Sequence, residues 1–398
     1  MPSVLAHPPF ARFLVSRVLS TLAFHMQGVA VGWQVYALTG RPFDLGLVGL
    51  AQFVPMILLT LLVGHAADRY DRRLIVSICQ LVQSAAGVTL ALGTFDGWLT
   101  LERMLAIVAV SGAARAFENP TMSALLPGLV PREMIPRASA WAASATQTAQ
   151  IVGPALGGLL YGLVSGASYG AGAFLFLVAA SLVALVPAVR AARGLADAES
   201  FFAGLAFIRG HRVLLGVLSL DLFAVLLGGV TALLPVFARD ILHVGPAGLG
   251  LLRSAPAIGA LSMSLVLARH PLERRVGRTL FGTIGVFGVA ILVFGVSRWL
   301  PLSLAALFVL GAADVISVVI RFSLVQLQTP DIMRGRVSAA FSLFTGTSNQ
   351  LGEFRAGATA ALLGVVPAAL LGGLGTIMVA VVWMALFPEL RRIRALDD

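Results

Sequence analysis

The chain has 398 residues, 58% of them hydrophobic and only 12% charged, with a mean hydropathy of +0.94. Soluble globular chains carry about 25% charged and 45–50% apolar residues. This one therefore cannot clothe a water-facing surface, which excludes a soluble enzyme or a disordered scaffold. All 28 basic residues are arginine, and without lysine neither a P-loop ATPase nor a lysine Schiff base is open to it.

The N-terminal stretch MPSVLAHPPFARF lacks the basic segment, short apolar core and cleavage site of a signal peptide. A spanning helix needs about 20 mostly apolar residues. Twelve stretches qualify: 13–38, 44–65, 74–94, 100–125, 136–164, 169–189, 213–238, 246–268, 278–297, 300–326, 335–364 and 366–387. The expectation is an all-α integral membrane protein of twelve transmembrane helices, with a six-helix bundle over 1–189 and a second over 213–398. Between them, 190–212 reads as a cytoplasmic amphipathic linker: Phe201, Leu205 and Ile208 share a helical face, with Glu199 and Arg209 off it. The lone Cys79 sits in an apolar run and supports neither an intramolecular disulfide nor a zinc site. No cofactor or metal is expected.

Placing both termini in the cytoplasm puts twenty arginines on that side and four (Arg41, Arg103, Arg239 and Arg298) on the other. That is a strong positive-inside signal. It accounts for the net charge of +10 without nucleic acid. Four more arginines, Arg115, Arg253, Arg321 and Arg355, fall inside predicted spans.

The halves repeat. At an offset of 199, Gly112–Arg115 meets Gly311–Asp314, Pro131 meets Pro330, Arg137 meets Arg336, Gly153 meets Gly352 and Gly158 meets Gly357. At an offset of 201, Pro55 meets Pro256 and Gln52 meets Arg253. An even number of helices per copy makes this a parallel repeat, an arrangement that places substrate near the midplane between rocking halves.

Two motifs then carry a family resemblance. The loop after the second span, Gly64-His-Ala-Ala-Asp68-Arg69-Tyr-Asp71-Arg72-Arg73, resembles the G-x-x-x-D-R-x-G-R-[RK] loop of the major facilitator superfamily. Asp71 stands where most relatives have glycine. The matching segment of the second half, Arg269 to Arg275, has lost its aspartate. The fifth span contains Gly153-Pro154-Ala155-Leu156-Gly157-Gly158, similar to the G-P-x-x-G-G motif of the superfamily's exporters, with Ala145 and Ala149 at earlier glycine positions. Within the superfamily the chain most resembles the enterobactin-exporter and macrolide-efflux type, through FFAGLAFIRGHRVLLG and QLQTPDIMRGRVSAAFSLF. The resemblance implies the major facilitator fold, a monomer in the bacterial inner membrane, export by alternating access, and a cytoplasmic gate at Gly64, Asp68, Arg69, Arg72 and Arg73. In that family the gate aspartate meets the eleventh helix, here near Gly335. The first, fourth, seventh and tenth helices would line the cavity.

Ionisable groups at membrane depth are functional candidates by default. The proton-coupling candidates are Asp314, Glu353, Glu118, Asp221 and His25; the substrate-cavity candidates are Arg115, Arg321, Arg253, Gln27 and Gln34. Arg115 and Glu118, three apart, share a face and can pair. Asp314 and Arg321 share a face too, but two turns set them about 10 Å apart, so a self-satisfied pair is not expected. Glu353 follows Asn349 and Gln350, with Arg355 on roughly the opposite face and Gln52 of the second span a possible partner. Gln27 and Gln34, seven apart, are expected on the cavity face. No HExxH or Cys/His metal pattern is present, so an enzyme is not expected. The function read from the sequence is proton-coupled export of a siderophore-like or drug-like small molecule; the alternative is proton-coupled import of a small metabolite.

Overall fold

The computed structural model of the chain describes residues 4–187, 198–270 and 275–395. Their elements are helical. The first half holds α1 (Pro8–Thr39), α2 (Pro42–Arg69), α3 (Arg72–Phe95), α4 (Leu101–Leu125), α5 (Ile135–Leu163) and α6 (Ala167–Ala184). Then come α7 (Ala198–Gly210), α8 (Arg212–Gly228), the single turn α9 (Leu234–Val236), α10 (Gly245–Arg269), α11 (Val276–Val296), α12 (Leu300–Leu327), α13 (Asp331–Leu363), α14 (Val365–Leu386) and the short α15 (Pro388–Arg392).

A helix lies over the greater part of each of the twelve predicted stretches. Among the described residues, nine are long and apolar enough to cross a membrane. Those outside that set include α4 and α13, which carry Arg115 with Glu118 and Glu353 with Arg355. Many large apolar side chains face outward, such as Ile78, Phe174, Leu265, Val289 and Val381. Exposed patches of that extent mark a membrane or partner surface.

The helix ends follow local chemistry. α1 opens on prolines, whose missing N–H groups would be unsatisfied there anyway, and stops at Gly40, whose φ of +62° favours glycine. Asp71 caps α3: its side chain accepts from the Arg73 N–H at 3.0 Å.

Two departures from the sequence reading stand out. The sixth span ends at Ala184 rather than 189. The seventh is broken: α8 stops at Gly228, and the chain resumes through a 3-10 turn (Thr231–Leu233), α9 and a five-residue π turn (Phe237–Ile241). A β-carbon on Gly229 would lie 2.6 Å from the Gly352 backbone, so the break lets two backbones approach. Arg355 donates to the Leu226 carbonyl at 2.8 Å and the Leu227 carbonyl at 2.5 Å, supplying partners to carbonyls that a helix end leaves open.

The chain divides into two compact units. One comprises Met1–Gly40, Leu50–Leu195 and Val244–Ser254; the other comprises Arg41–Gly49, Ala196–His243 and Ala255–Asp398. The first has a core around Phe10, Phe13, Val76, Leu125 and Val183, the second around Val217, Leu280, Phe281, Ile320 and Leu324. α7 belongs to the second. Its Ile208 is buried in that core beside Val337, and Gly204 lies against the Arg336 backbone. Part of its apolar face is therefore taken up by protein. The side chains of Glu199 and Phe201 lie outside the described ones.

The two units repeat one crossing. In the first, a β-carbon on Gly158 of α5 would lie 3.0 Å from Gly250 Cα of α10. In the second, one on Gly357 of α13 would lie 3.0 Å from Gly46 Cα of α2. Gly157 is as tight against α1: its β-carbon would meet the Met26 carbonyl oxygen at 2.5 Å and its Cα at 2.6 Å, while Gly162 on the same helix has nothing within 4 Å. Backbone cannot step aside as a flexible side chain can. Gly157→Ala is expected to force α1 and α5 apart at a cost of about 1–3 kcal/mol, lowering the melting temperature of the detergent-purified protein. Gly162→Ala should leave it unchanged or slightly raised. Equal melting of the two variants would rule out this account of the close approach.

Candidate functional site

Each unit holds a cluster built on buried charge. In the first, Glu118 on α4 is almost fully buried. Its Oε2 pairs with Arg115 Nη1 at 3.2 Å and accepts from Gln83 Nε2 at 2.7 Å, while Oε1 accepts from Gln80 Nε2 at 2.9 Å. Ser16 of α1 extends the network to Gln80. The Arg115 guanidinium lies 4.3 Å from the centroid of the Phe24 ring, a cation–π position. The i,i+3 pairing read from the sequence is present. The two glutamines that complete it are the additional feature: both oxygens of Glu118 accept from donors fixed by the protein.

In the second unit, Asp221 of α8, Arg321 of α12 and Asp314, also of α12, form a cluster. Arg321 pairs directly with Asp221, and its Nη2 stands 3.8 Å from Asp314 Oδ1. The separation expected for Asp314 and Arg321 is thus corrected: Cα atoms two turns apart do not keep the groups apart, because the long arginine side chain folds back along its helix. Arg321 Nε also donates to the Ser317 carbonyl at 3.2 Å. Thr345 of α13 donates to Asp221 Oδ2 at 2.8 Å. The side chains of Arg321 and Asp221 are 4% and 2% exposed, that of Asp314 47%. A cavity of ≈ 20 Å³, lined by Asp221, Asp314, Ser317 and Arg321 among others, has room for about one water.

Gln27 and Gln34 are corrected as well. Both are buried. Gln27 Nε2 donates to the Tyr169 carbonyl at 3.5 Å; Gln34 donates to Thr94 at 3.1 Å and accepts from the Tyr169 hydroxyl at 2.7 Å. They join α1 to α3 and α6 instead of facing a cavity. His25 has its β-carbon against Gly153, on the α1–α5 contact. Arg253, on the part of α10 that belongs to the first unit, lies over Gly28 of α1, and the adjacent Ser254 hydroxyl donates to the Ile151 carbonyl at 2.6 Å.

Glu353 accepts from the Thr231 hydroxyl at 3.4 Å, in the broken stretch after α8, and its carboxylate rests beside Gly49. Thr231 and Thr345 were not singled out in the sequence. Thr345 opens the run T-G-T-S-N-Q in the eleventh span, a polar signal that pointed at this face.

In the signature loop, the side chain of Asp68 lies outside the described ones, and Glu273 and Arg274 of the second-half counterpart lie outside the described residues. Arg69 is exposed. Arg72 donates to the Ala124 carbonyl at 3.1 Å, near the end of α4. Arg73 pairs with Asp71 at 2.7 Å and donates to the Val186 carbonyl at 3.2 Å, just past α6, where Arg12 also donates to the Leu185 carbonyl at 3.0 Å. Cations at helix C-termini are favoured by the unsatisfied carbonyls there. Asp71 thus serves as cap and ion-pair partner.

Removing one member of a buried ion pair strands the other. Glu118→Ala is expected to cost about 3–5 kcal/mol, seen as a large drop in melting temperature and in the monodisperse fraction on size exclusion. The Arg115→Leu/Glu118→Leu double variant should be less damaged than the sum of its singles. Additive losses would show that the pair does not act as a unit.

The comparisons with known proteins agree in class. The sequence matches the profile of the MFS_3 family, described as transmembrane secretion effector, over residues 3–398. It is 29% identical to the enterobactin exporter EntS of Citrobacter koseri over 406 aligned positions covering 98% of this chain and 94% of that protein. It is 27% identical to EntS of Escherichia coli, with the same coverage. Among solved structures it resembles an inward-facing, occupied bacterial homologue of the human lysosomal transporter Spinster. The TM-score is 0.74 at 12% identity, covering 96% of this chain and 95% of that one; this likeness concerns the fold alone. With the family profile running through the whole helical chain, the protein belongs to the transmembrane secretion effector family of the major facilitator superfamily, and it is a membrane transporter rather than an enzyme.

Proposed function

We propose that the chain exports a siderophore-like small molecule across the bacterial inner membrane by alternating access, drawing energy from inward proton flow. The substrate class rests on the full-length similarity to proteins named enterobactin exporters. The buried arginines do not add to it. Arg115 and Arg321 are engaged by carboxylates and Arg355 by backbone carbonyls, so they do not amount to an open anion site.

The observation that carries the coupling reading is Arg321 shared between a buried and an accessible carboxylate. A chain without lysine has no P-loop for ATP, which leaves an ion gradient as the source of work. A proton arriving at the half-exposed Asp314 cancels its charge and leaves Arg321 to Asp221 and the Ser317 carbonyl. Loss of that proton restores a second anion 3.8 Å from the guanidinium. The balance of attraction on Arg321 then shifts between α8 and its own helix α12. Thr345 on α13 is tied to the same aspartate, so three helices feel the change. Glu353, at the break after α8, is the second candidate carrier. The gate at Asp68, Arg69 and Arg72 belongs to the same proposal.

Everted membrane vesicles test it. Asp314→Asn should abolish accumulation of enterobactin against its gradient while leaving downhill exchange intact. Uphill accumulation by the variant that a protonophore still collapses would move the carrier elsewhere, with Glu353→Gln the next variant. Accumulation into everted vesicles also separates export from the alternative, proton-coupled import of a metabolite, which would run in the other direction. The arginine distribution supports a topology with both termini in the cytoplasm. Reporter fusions after Leu163 and after Arg193 should report opposite compartments; the same compartment for both would contradict the topology.

A further inference from the structure

Away from the buried clusters, the second unit holds a pocket of ≈ 770 Å³ lined by Arg275, Arg278, Arg391, Arg392 and Arg394. We propose that this arginine pocket binds the phosphate headgroup of an anionic membrane phospholipid.

The pocket is built, and its parts are fixed from below. The C-terminal tail returns to the start of α11, where the Val276 and Gly277 N–H groups donate to the Arg394 and Ile393 carbonyls at 3.3 and 3.1 Å. Gly277 admits the tail backbone closely: a β-carbon there would lie 2.8 Å from the Arg391 carbonyl oxygen. Val276 and Leu390 are fully buried and Ile393 nearly so, so the tail is anchored by apolar contact while its arginines stay exposed. Arg275 and Arg278 lie three apart on or beside the first turn of α11. The same pairing of tail and helix start brings Arg391, Arg392 and Arg394 to them.

Guanidinium groups gathered around one concavity raise the local potential for an anion. No acidic side chain lines the pocket among the described residues. Glu389, on α15 beside it, is engaged by Arg212 at 2.8 Å. Guanidinium groups match phosphate oxygens in geometry as well as charge.

The position selects a lipid over a free anion. The pocket sits where two apolar helices end: α11 begins at Val276, and α14 runs out at Leu386, immediately before α15. Both helices are long and apolar enough to cross a membrane, and Met378, Val382 and Leu386 of α14 are exposed. A ligand with a phosphate head and acyl chains satisfies the arginines and the apolar wall at once; inorganic phosphate satisfies only the first. Basic pockets at helix ends on the inner side of a membrane recognise anionic headgroups in this way.

Native mass spectrometry on the purified full-length transporter provides the test, with phosphatidylglycerol, phosphatidylcholine and inorganic phosphate as separate titrants. Wild type is expected to retain phosphatidylglycerol in clear preference to phosphatidylcholine, with millimolar phosphate neither binding at one site nor displacing the lipid. The Arg275→Gln/Arg391→Gln/Arg392→Gln variant should lose roughly a hundredfold in phosphatidylglycerol affinity, about fivefold per arginine. Arg275→Lys/Arg391→Lys/Arg392→Lys, which keeps the charge, should retain most of it. Arg132→Gln/Arg334→Gln/Arg336→Gln, which removes the same charge elsewhere, should change nothing. Equal binding of the two lipids by wild type, or an equal loss in the pocket and control variants, would overturn the proposal. Saturable phosphate binding that competes with the lipid would reassign the pocket to a free anion. Should the glutamine variant fail to fold, the wild-type titrations and the lysine variant decide by themselves.

Discussion

The hydrocarbon core of a bilayer offers no partner to a charge, so each ionisable side chain placed there must be satisfied by the protein itself. That constraint organises this molecule. Glu118 collects Arg115, Gln80 and Gln83; Arg321 collects Asp221, Asp314 and a backbone carbonyl; Arg355 collects two carbonyls of the broken α8. Two of the helices that carry these groups, α4 and α13, fall outside the set apolar enough to cross on composition alone. Such helices are held in place by what they bond to inside the protein more than by their affinity for lipid.

The duplication explains the common frame, and the charges show how the copies diverged. The glycine crossing recurs, Gly158 over Gly250 in one unit and Gly357 over Gly46 in the other, because an approach that close tolerates no side chain in either copy. The polar groups did not stay matched. Arg115 and Asp314 occupy equivalent positions yet sit in opposite roles. The first supports a closed network in which a single buried carboxylate has three donors. The second is the accessible end of a triad in which one cation faces two anions. A closed network is suited to anchoring helices. An unequal triad is suited to changing state, which is why the coupling proposal falls on the second unit.

Much of this was legible in the sequence, and the misses have physical causes. The spans followed from apolar length, and the Arg115–Glu118 pair from i,i+3 geometry. Gln27 and Gln34 were placed correctly on one helical face, but periodicity gives a face without saying which neighbour it meets; here that neighbour is Tyr169 and Thr94. Backbone rise alone sets Asp314 and Arg321 two turns apart, and the reach of the arginine side chain closes that gap. The break after α8 was hidden because Gly228-Gly229 in an apolar stretch reads as a tolerated interruption, and only the approach of Gly352 shows that it is used. The loop arginines Arg72 and Arg73 gave a motif, while their service as partners for the ends of α4 and α6 depends on loops distant in sequence.

In the proposed mechanism, movement of substrate and movement of protons are one process. The most direct measurement is proton flux driven by substrate alone. In proteoliposomes with a pH-sensitive dye inside, no ATP and the membrane potential clamped to zero, an imposed enterobactin gradient should move protons in the direction opposite to the substrate, and dissipating the substrate gradient should stop them. Substrate movement with no accompanying proton flux would contradict the account.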